Sequence, residues 1–96
     1  MTNKANHSTF AVDPEAAASI HEDGIVIFHI SNGRLFSSNG TGARIWRALE
    51  KQLSLEAITS EVSDAYQIAR ATAGEQVVRF LGELERHMLI HREAAS

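Results

Sequence analysis

The sequence predicts an α+β fold, a winged helix-turn-helix in which a three-stranded antiparallel sheet precedes three helices. Three observations carry that prediction. Ile25-Val26-Ile27-Phe28-His29-Ile30 holds four β-branched residues and one aromatic between two turn signals, which is a strand composition. Arg34 to Trp46 passes from an extended half to a helical half, with Asn39 at the join. Beyond Gly40 the apolar residues recur at helical spacing in three segments separated by short breaks.

Taken in order, Met1 to Thr9 is polar and terminal, and reads as a disordered tail of residues 1–9. The body spans 10–91, with Phe10 and Val12 tucked onto it. Asp13-Pro14 followed by Glu15-Ala16-Ala17-Ala18 has the form of a helix start. A helix of about seven residues has weak standing alone. A turn at Asp13-Pro14 and a strand over Ala17 to Glu22 is the preferred reading of 14–22, with the helix left open. Asp23-Gly24 is a hairpin signal, because both residues tolerate positive φ. The second strand, Ile25 to Ile30, is apolar on both faces until His29, which places it centrally. Ser31-Asn32-Gly33 turns the chain into a third strand, Arg34 to Ser38, at the sheet edge.

Asn39 caps helix one, Gly40 to Glu50, because its side-chain oxygen can accept an N–H that the first turn leaves unpaired. Ile45, Trp46 and Leu49 form its apolar face. Ser54 caps helix two, which runs to Tyr66 with Leu55, Ile58, Val62 and Tyr66 at helical spacing. Helix three runs from Arg70 to His87. Its core stripe is Ala73, Val77, Phe80, Leu84 and Met88, with Leu81 beside it. Residues 92–96 are expected to fray. Helices two and three, joined by a short turn, make the helix-turn-helix pair, with the sheet as wing.

Ninety-six residues make one domain with little room for a deep catalytic cavity. The net charge of −3 gives a polyanion no global attraction. The absence of cysteine excludes disulfides, thiolate nucleophiles and thiolate metal sites. The polar start is not a signal peptide, and Ile25 to Phe28, the longest apolar run, is far too short to span a bilayer. The expected location is the cytoplasm, with no membrane partner.

No enzyme reading has a residue to rest on. No Gly-x-Ser-x-Gly elbow exists, and Asn39-Gly40-Thr41-Gly42 lacks the lysine of a phosphate-binding loop. His87 and His91 share a helix face only if the helix persists that far, and no carboxylate at matching spacing completes a metal site. His29 reads as a sheet-surface residue. No cofactor is expected. The winged fold raises nucleic-acid binding as the alternative function. Against it, Arg70, Gln76, Arg79 and Arg86 on helix three are offset by Glu75, Glu83 and Glu85. A further stripe, Val78, Leu81 and Glu85, stands beside the core stripe and borders the sheet edge. From periodicity alone it is either ordinary core margin or one wall of a groove that takes an added strand.

The run Gly33-Arg34-Leu35-Phe36-Ser37-Ser38-Asn39-Gly40-Thr41-Gly42-Ala43-Arg44-Ile45-Trp46 resembles the PqqD-like proteins. Their pattern passes from a hairpin glycine through an aromatic strand to Leu-Asn, then x-Thr-Gly-Ala-x-Ile-Trp. Tyr66 and the helix-three residues Val77, Phe80, Leu81 and Leu84 fall on further family positions, so the likeness covers about Ala17 to Ile90. It implies a non-catalytic recognition element for ribosomally synthesised, modified peptides. Such an element binds the leader of a precursor peptide and presents it to a modifying enzyme. In PQQ biosynthesis that enzyme is a radical S-adenosylmethionine protein; in lasso-peptide pathways it is a leader peptidase. The leader docks on the third strand against the third helix. Carried over, the peptide-binding residues are Arg34, Leu35, Phe36, Ser37, Ser38, Val78, Leu81 and Glu85. Three positions depart from the pattern: Ser38 in place of leucine, His29 in place of an acid, and Met88 in place of a helix-ending glycine.

Overall fold

The computed structural model describes residues 9–93. It is an α+β arrangement of three helices and two antiparallel sheets. The order is β1 (Thr9–Val12), β2 (Ala16–His21), β3 (Gly24–His29), β4 (Leu35–Ser38), α1 (Gly40–Glu50), α2 (Leu55–Tyr66), α3 (Arg70–Arg86) and β5 (Ile90–Glu93). The expected meander is present as β2-β3-β4, with β3 central and β4 at an edge. The turn-and-strand reading of 14–22 is the one observed. Asp13 Oδ1 accepts the Glu15 N–H at 2.7 Å and bends the chain before a helix can start.

The second sheet, β1-β5, differs from expectation. Phe10 pairs with Arg92 and Val12 with Ile90, so Arg92 and Glu93 are paired where fraying was expected. Of the expected tail, Thr9 opens β1 and the remainder lies outside the described residues, as do 94–96. Each terminal segment is only four residues long, too short to declare itself. Their pairing spans nearly the whole chain, and local periodicity carries no information about it.

The DG hairpin also differs. His21 pairs with Gly24, so the two loop residues are Glu22 and Asp23, and Gly24 belongs to β3. What Gly24 supplies is clearance: a Cβ there would collide with the Ser38 carbonyl oxygen.

One face of the meander packs on the helices. Ile25 and Ile27 of β3 join Ile45, Trp46 and Leu49 of α1, Ile58 and Val62 of α2, and Ala73, Val77, Leu81 and Leu84 of α3 in a single core. Asn39 Oδ1 accepts Gly42 N–H at 3.1 Å and Ser54 Oγ accepts Ala57 N–H at 3.2 Å, so both expected N-caps form. Tyr66, expected on the apolar face of α2, is instead 41% exposed, and the Arg44 guanidinium lies 5.7 Å from its ring centroid.

Met88 is not part of the core stripe. It is exposed and left-handed at φ 60°, one residue past the cap of α3. Leu89 N–H donates to Leu84 O and Met88 N–H to Glu85 O, a Schellman closure that swings Leu89 and Ile90 back into the core. α1 ends in the same way at Gln52, φ 61°. Met88→Gly removes a strained side chain that buries little. It is expected to raise stability by about 1 kcal/mol, read as a higher denaturation midpoint.

His29 is buried rather than on the sheet surface. Its Nε2 lies 3.8 Å from Asp13 Oδ1, and its Nδ1 accepts the Asn32 N–H. His91 Nε2 lies 2.5 Å from Asp13 Oδ2. One carboxylate thus faces an imidazole of each sheet, while the Asp13 backbone N–H donates to Leu89 O. The His91 hydrogen bond, then the Glu15 N–H, hold Asp13 below its ordinary carboxyl value of 3.8. A group depressed in this way contributes its stability above the unfolded value and loses it as pH falls through the folded one. Acid titration of unfolding should therefore show a loss below about pH 4 that Asp13→Asn abolishes. An unchanged acid limb in that variant would remove Asp13 from the account.

Candidate strand-docking site

The edge of β4 is built by the turn before it and the cap after it. His29 N–H donates to Arg34 O at 2.9 Å across the four-residue turn. Antiparallel pairing alternates along a strand, so Arg34, Phe36 and Ser38 address β3 with their backbones. Leu35 and Ser37 turn their N–H and C=O groups outward. Among the described residues no strand pairs with that edge. Side chains alternate too: Phe36 and Ser38 point toward the helices, and Leu35 and Ser37 away.

The helix wall beside β4 is not the expected one. The Phe36 ring lies 5.8 Å from that of Phe80 and 5.1 Å from that of His87. Gln76 reaches the end of β4 beside Ser38. Gln76, Phe80 and His87, with Glu83, recur every three to four residues and so form one row on α3. Val78 is two residues from Phe80, about 200° around the helix, and is solvent-exposed beside Gly74 and Glu75. Leu81 is 3% exposed and belongs to the core. Glu85 faces β5, with its carboxylate 3.5 Å from the Arg92 guanidinium. Of the expected site residues, the structure brings β4 together but leaves Val78, Leu81 and Glu85 elsewhere. The expected wall follows from placing Phe80 and Met88 in the core stripe. With Phe80 half-buried and Met88 outside, the stripe rotates and the sheet-facing row changes. The signal was present in the 76-80-83-87 spacing.

At the C-terminal end of β4 the groove opens into a cavity of about 380 Å³. Its floor is Gly42, Ile45 and Phe80; its rim is Ser38, Gln76 and Arg79. A Cβ at position 42 would meet Ser38 Oγ and, at 2.9 Å, the Phe80 ring, so α1 reaches β4 this closely only because residue 42 is glycine. His87 and His91 do not share a helix face. His87 caps α3, with its ring Nδ1–H donating to Glu83 O at 2.8 Å, and His91 lies in β5.

The outer face of the meander carries Ala17, Ser19, His21, Val26, Phe28, Leu35 and Ser37, with no carboxylate, lysine or arginine among them. Phe28 and Leu35, a cross-strand pair, are 40% and 63% exposed, and Ile30 is 59% exposed. The apolar second face of β3 is thus open to solvent, because every helix crosses the other side. Among the described residues no helix is long and apolar enough to cross a membrane.

An unpaired strand edge running beside a helix row centred on Phe80 defines a small α+β domain able to accept a further strand. The chain belongs to the PqqD family: the family model for Coenzyme PQQ synthesis protein D (PqqD) matches residues 24–90, from the start of β3 to the start of β5. A solved structure described as "TbiB1 in Complex with the TbiA(beta) Leader Peptide" superposes with a TM-score of 0.78 at 25% identity, covering 83% of this chain and 93% of that one. A second, "Lasso peptide synthetase B1 complexed with the leader peptide", gives a TM-score of 0.76 at 20% identity, covering 84% and 95%, and speaks to the fold alone. No curated protein matches the chain.

Proposed function

We propose that this protein is a non-catalytic peptide-binding module that takes the leader of a ribosomally synthesised precursor peptide as an added strand on β4. The observation that carries the reading is the open edge of β4, with the Leu35 and Ser37 backbones facing outward beside Gln76, Phe80 and His87. Main-chain hydrogen bonds supply affinity in such a mode and flanking pockets supply choice. Family membership and the leader-peptide complex of the TbiB1 structure support the same assignment. In this reading β2-β3-β4 is the wing and α2-α3 the helix-turn-helix pair of one binding domain. The domain hands the bound peptide to a modifying enzyme, a radical S-adenosylmethionine protein or a leader peptidase, in the cytoplasm. The peptide contacts are the outward backbones of Leu35 and Ser37 within Arg34 to Ser38, and the 76-80-83-87 row, in place of Val78, Leu81 and Glu85.

Titration with the leader encoded by a neighbouring short reading frame, followed by amide NMR, tests this. Shifts concentrated at Leu35, Ser37 and the sheet-facing row of α3 are expected. Tight, salt-dependent DNA binding with no response to peptide would replace it with the nucleic-acid reading.

A further inference from the structure

We infer that the cavity at the C-terminal end of β4 is a specificity pocket for an acidic side chain of the bound peptide. The inference rests on the proposed strand addition and names what the strand must carry. A strand paired with Leu35 and Ser37 alternates its side chains as β4 does. The residue opposite Ser38 then points to the helix side, into the cavity lined by Gly42, Ile45 and Phe80.

Three features of that cavity select its occupant. It is open because residue 38 is a serine: the side chain points inward, and a leucine there would extend into the same space. Among its lining residues Phe80 offers an apolar ring against which an aliphatic stem can lie. The rim holds Gln76 and Arg79, and no acidic residue lines it. Among the described residues no carboxylate lies within 4 Å of the Arg79 guanidinium, a state it shares with Arg34, Arg44, Arg47 and Arg86, and of these only Arg79 lines the cavity. An arginine with a free fork beside an apolar ring suits a glutamate or aspartate, whose two oxygens it can hold together. The neutral Gln76 amide can donate to the same carboxylate.

The test is selection from a display library of random twelve-residue peptides on the intact protein, run in parallel on Arg79→Glu and Ser38→Leu. Arg79 is solvent-exposed, so Arg79→Glu should fold normally, and circular dichroism checks both variants. Peptides selected by the native protein should show one position enriched in Glu or Asp. Arg79→Glu should exchange that preference for Lys or Arg, and Ser38→Leu should erase it. Replacing the selected acid by its amide should weaken binding about fivefold, the upper range for a partly solvated ion pair. Selected peptides that shift the Leu35 and Ser37 amides yet show no acidic preference would overturn the pocket and leave strand addition standing. No selection at all, or selection elsewhere on the surface, would overturn both.

Discussion

Trp46→Ala should destabilise the protein by ~3–5 kcal/mol, the range for deleting a large buried aromatic. Trp46 is 1% exposed and packs where α1 meets the sheet and the other two helices. Against a total stability of ~5–15 kcal/mol, that loss leaves a domain of this size marginally folded. The thermal midpoint should fall by more than about 10 °C. The indole Nε1 is buried with no hydrogen-bond partner among the described residues, so the donor adds nothing to set against the lost volume. Trp46→Phe, which keeps most of the volume and removes the unpaired donor, should therefore cost much less than Trp46→Ala. Equal losses in the two variants would mean that the nitrogen, not the packing, matters. A midpoint shift of a degree or less for Trp46→Ala would remove Trp46 from the core. Phe80→Ala is expected to cost less, because its ring is half-buried and shared with the groove.

The features legible in the sequence are those whose cause is local. Asn39 and Ser54 announce their helices because the capping group and the N–H it satisfies are three residues apart. β3 is legible from β-branching, and the α1 face from spacing. α1 ends at Glu50, as its spacing predicts. The end of α3 is harder: Met88 occupies a left-handed position without being glycine, so the usual stop signal is missing and the stripe reads one turn too long. That extension rotated the inferred helix face and put Val78 and Glu85 in the groove instead of Gln76 and His87. The β1-β5 pairing and the Asp13 contacts to His29 and His91 were out of reach for another reason. They join residues far apart in the chain, and nothing in the neighbourhood of either partner marks the other.

The strand-addition reading makes its sharpest prediction at Ser37. Ser37→Pro should weaken peptide binding by more than about tenfold while leaving the fold intact. Proline removes an N–H and adds a ring at that nitrogen. At Ser37 this N–H points to the open edge, so the β3-β4 ladder loses nothing. The preceding Phe36 already has the extended backbone that proline demands of its neighbour. The incoming strand, by contrast, loses a main-chain hydrogen bond and meets the ring where it should pair. Phe36→Pro is the contrasting case: its N–H faces β3, so the ladder breaks and stability falls by roughly 3 kcal/mol or more. A Ser37→Pro protein that melts like the native one and no longer binds the leader or the library-selected peptides is the expected outcome. Full peptide affinity in that variant would mean that the peptide does not pair with β4, however closely the groove resembles one that should.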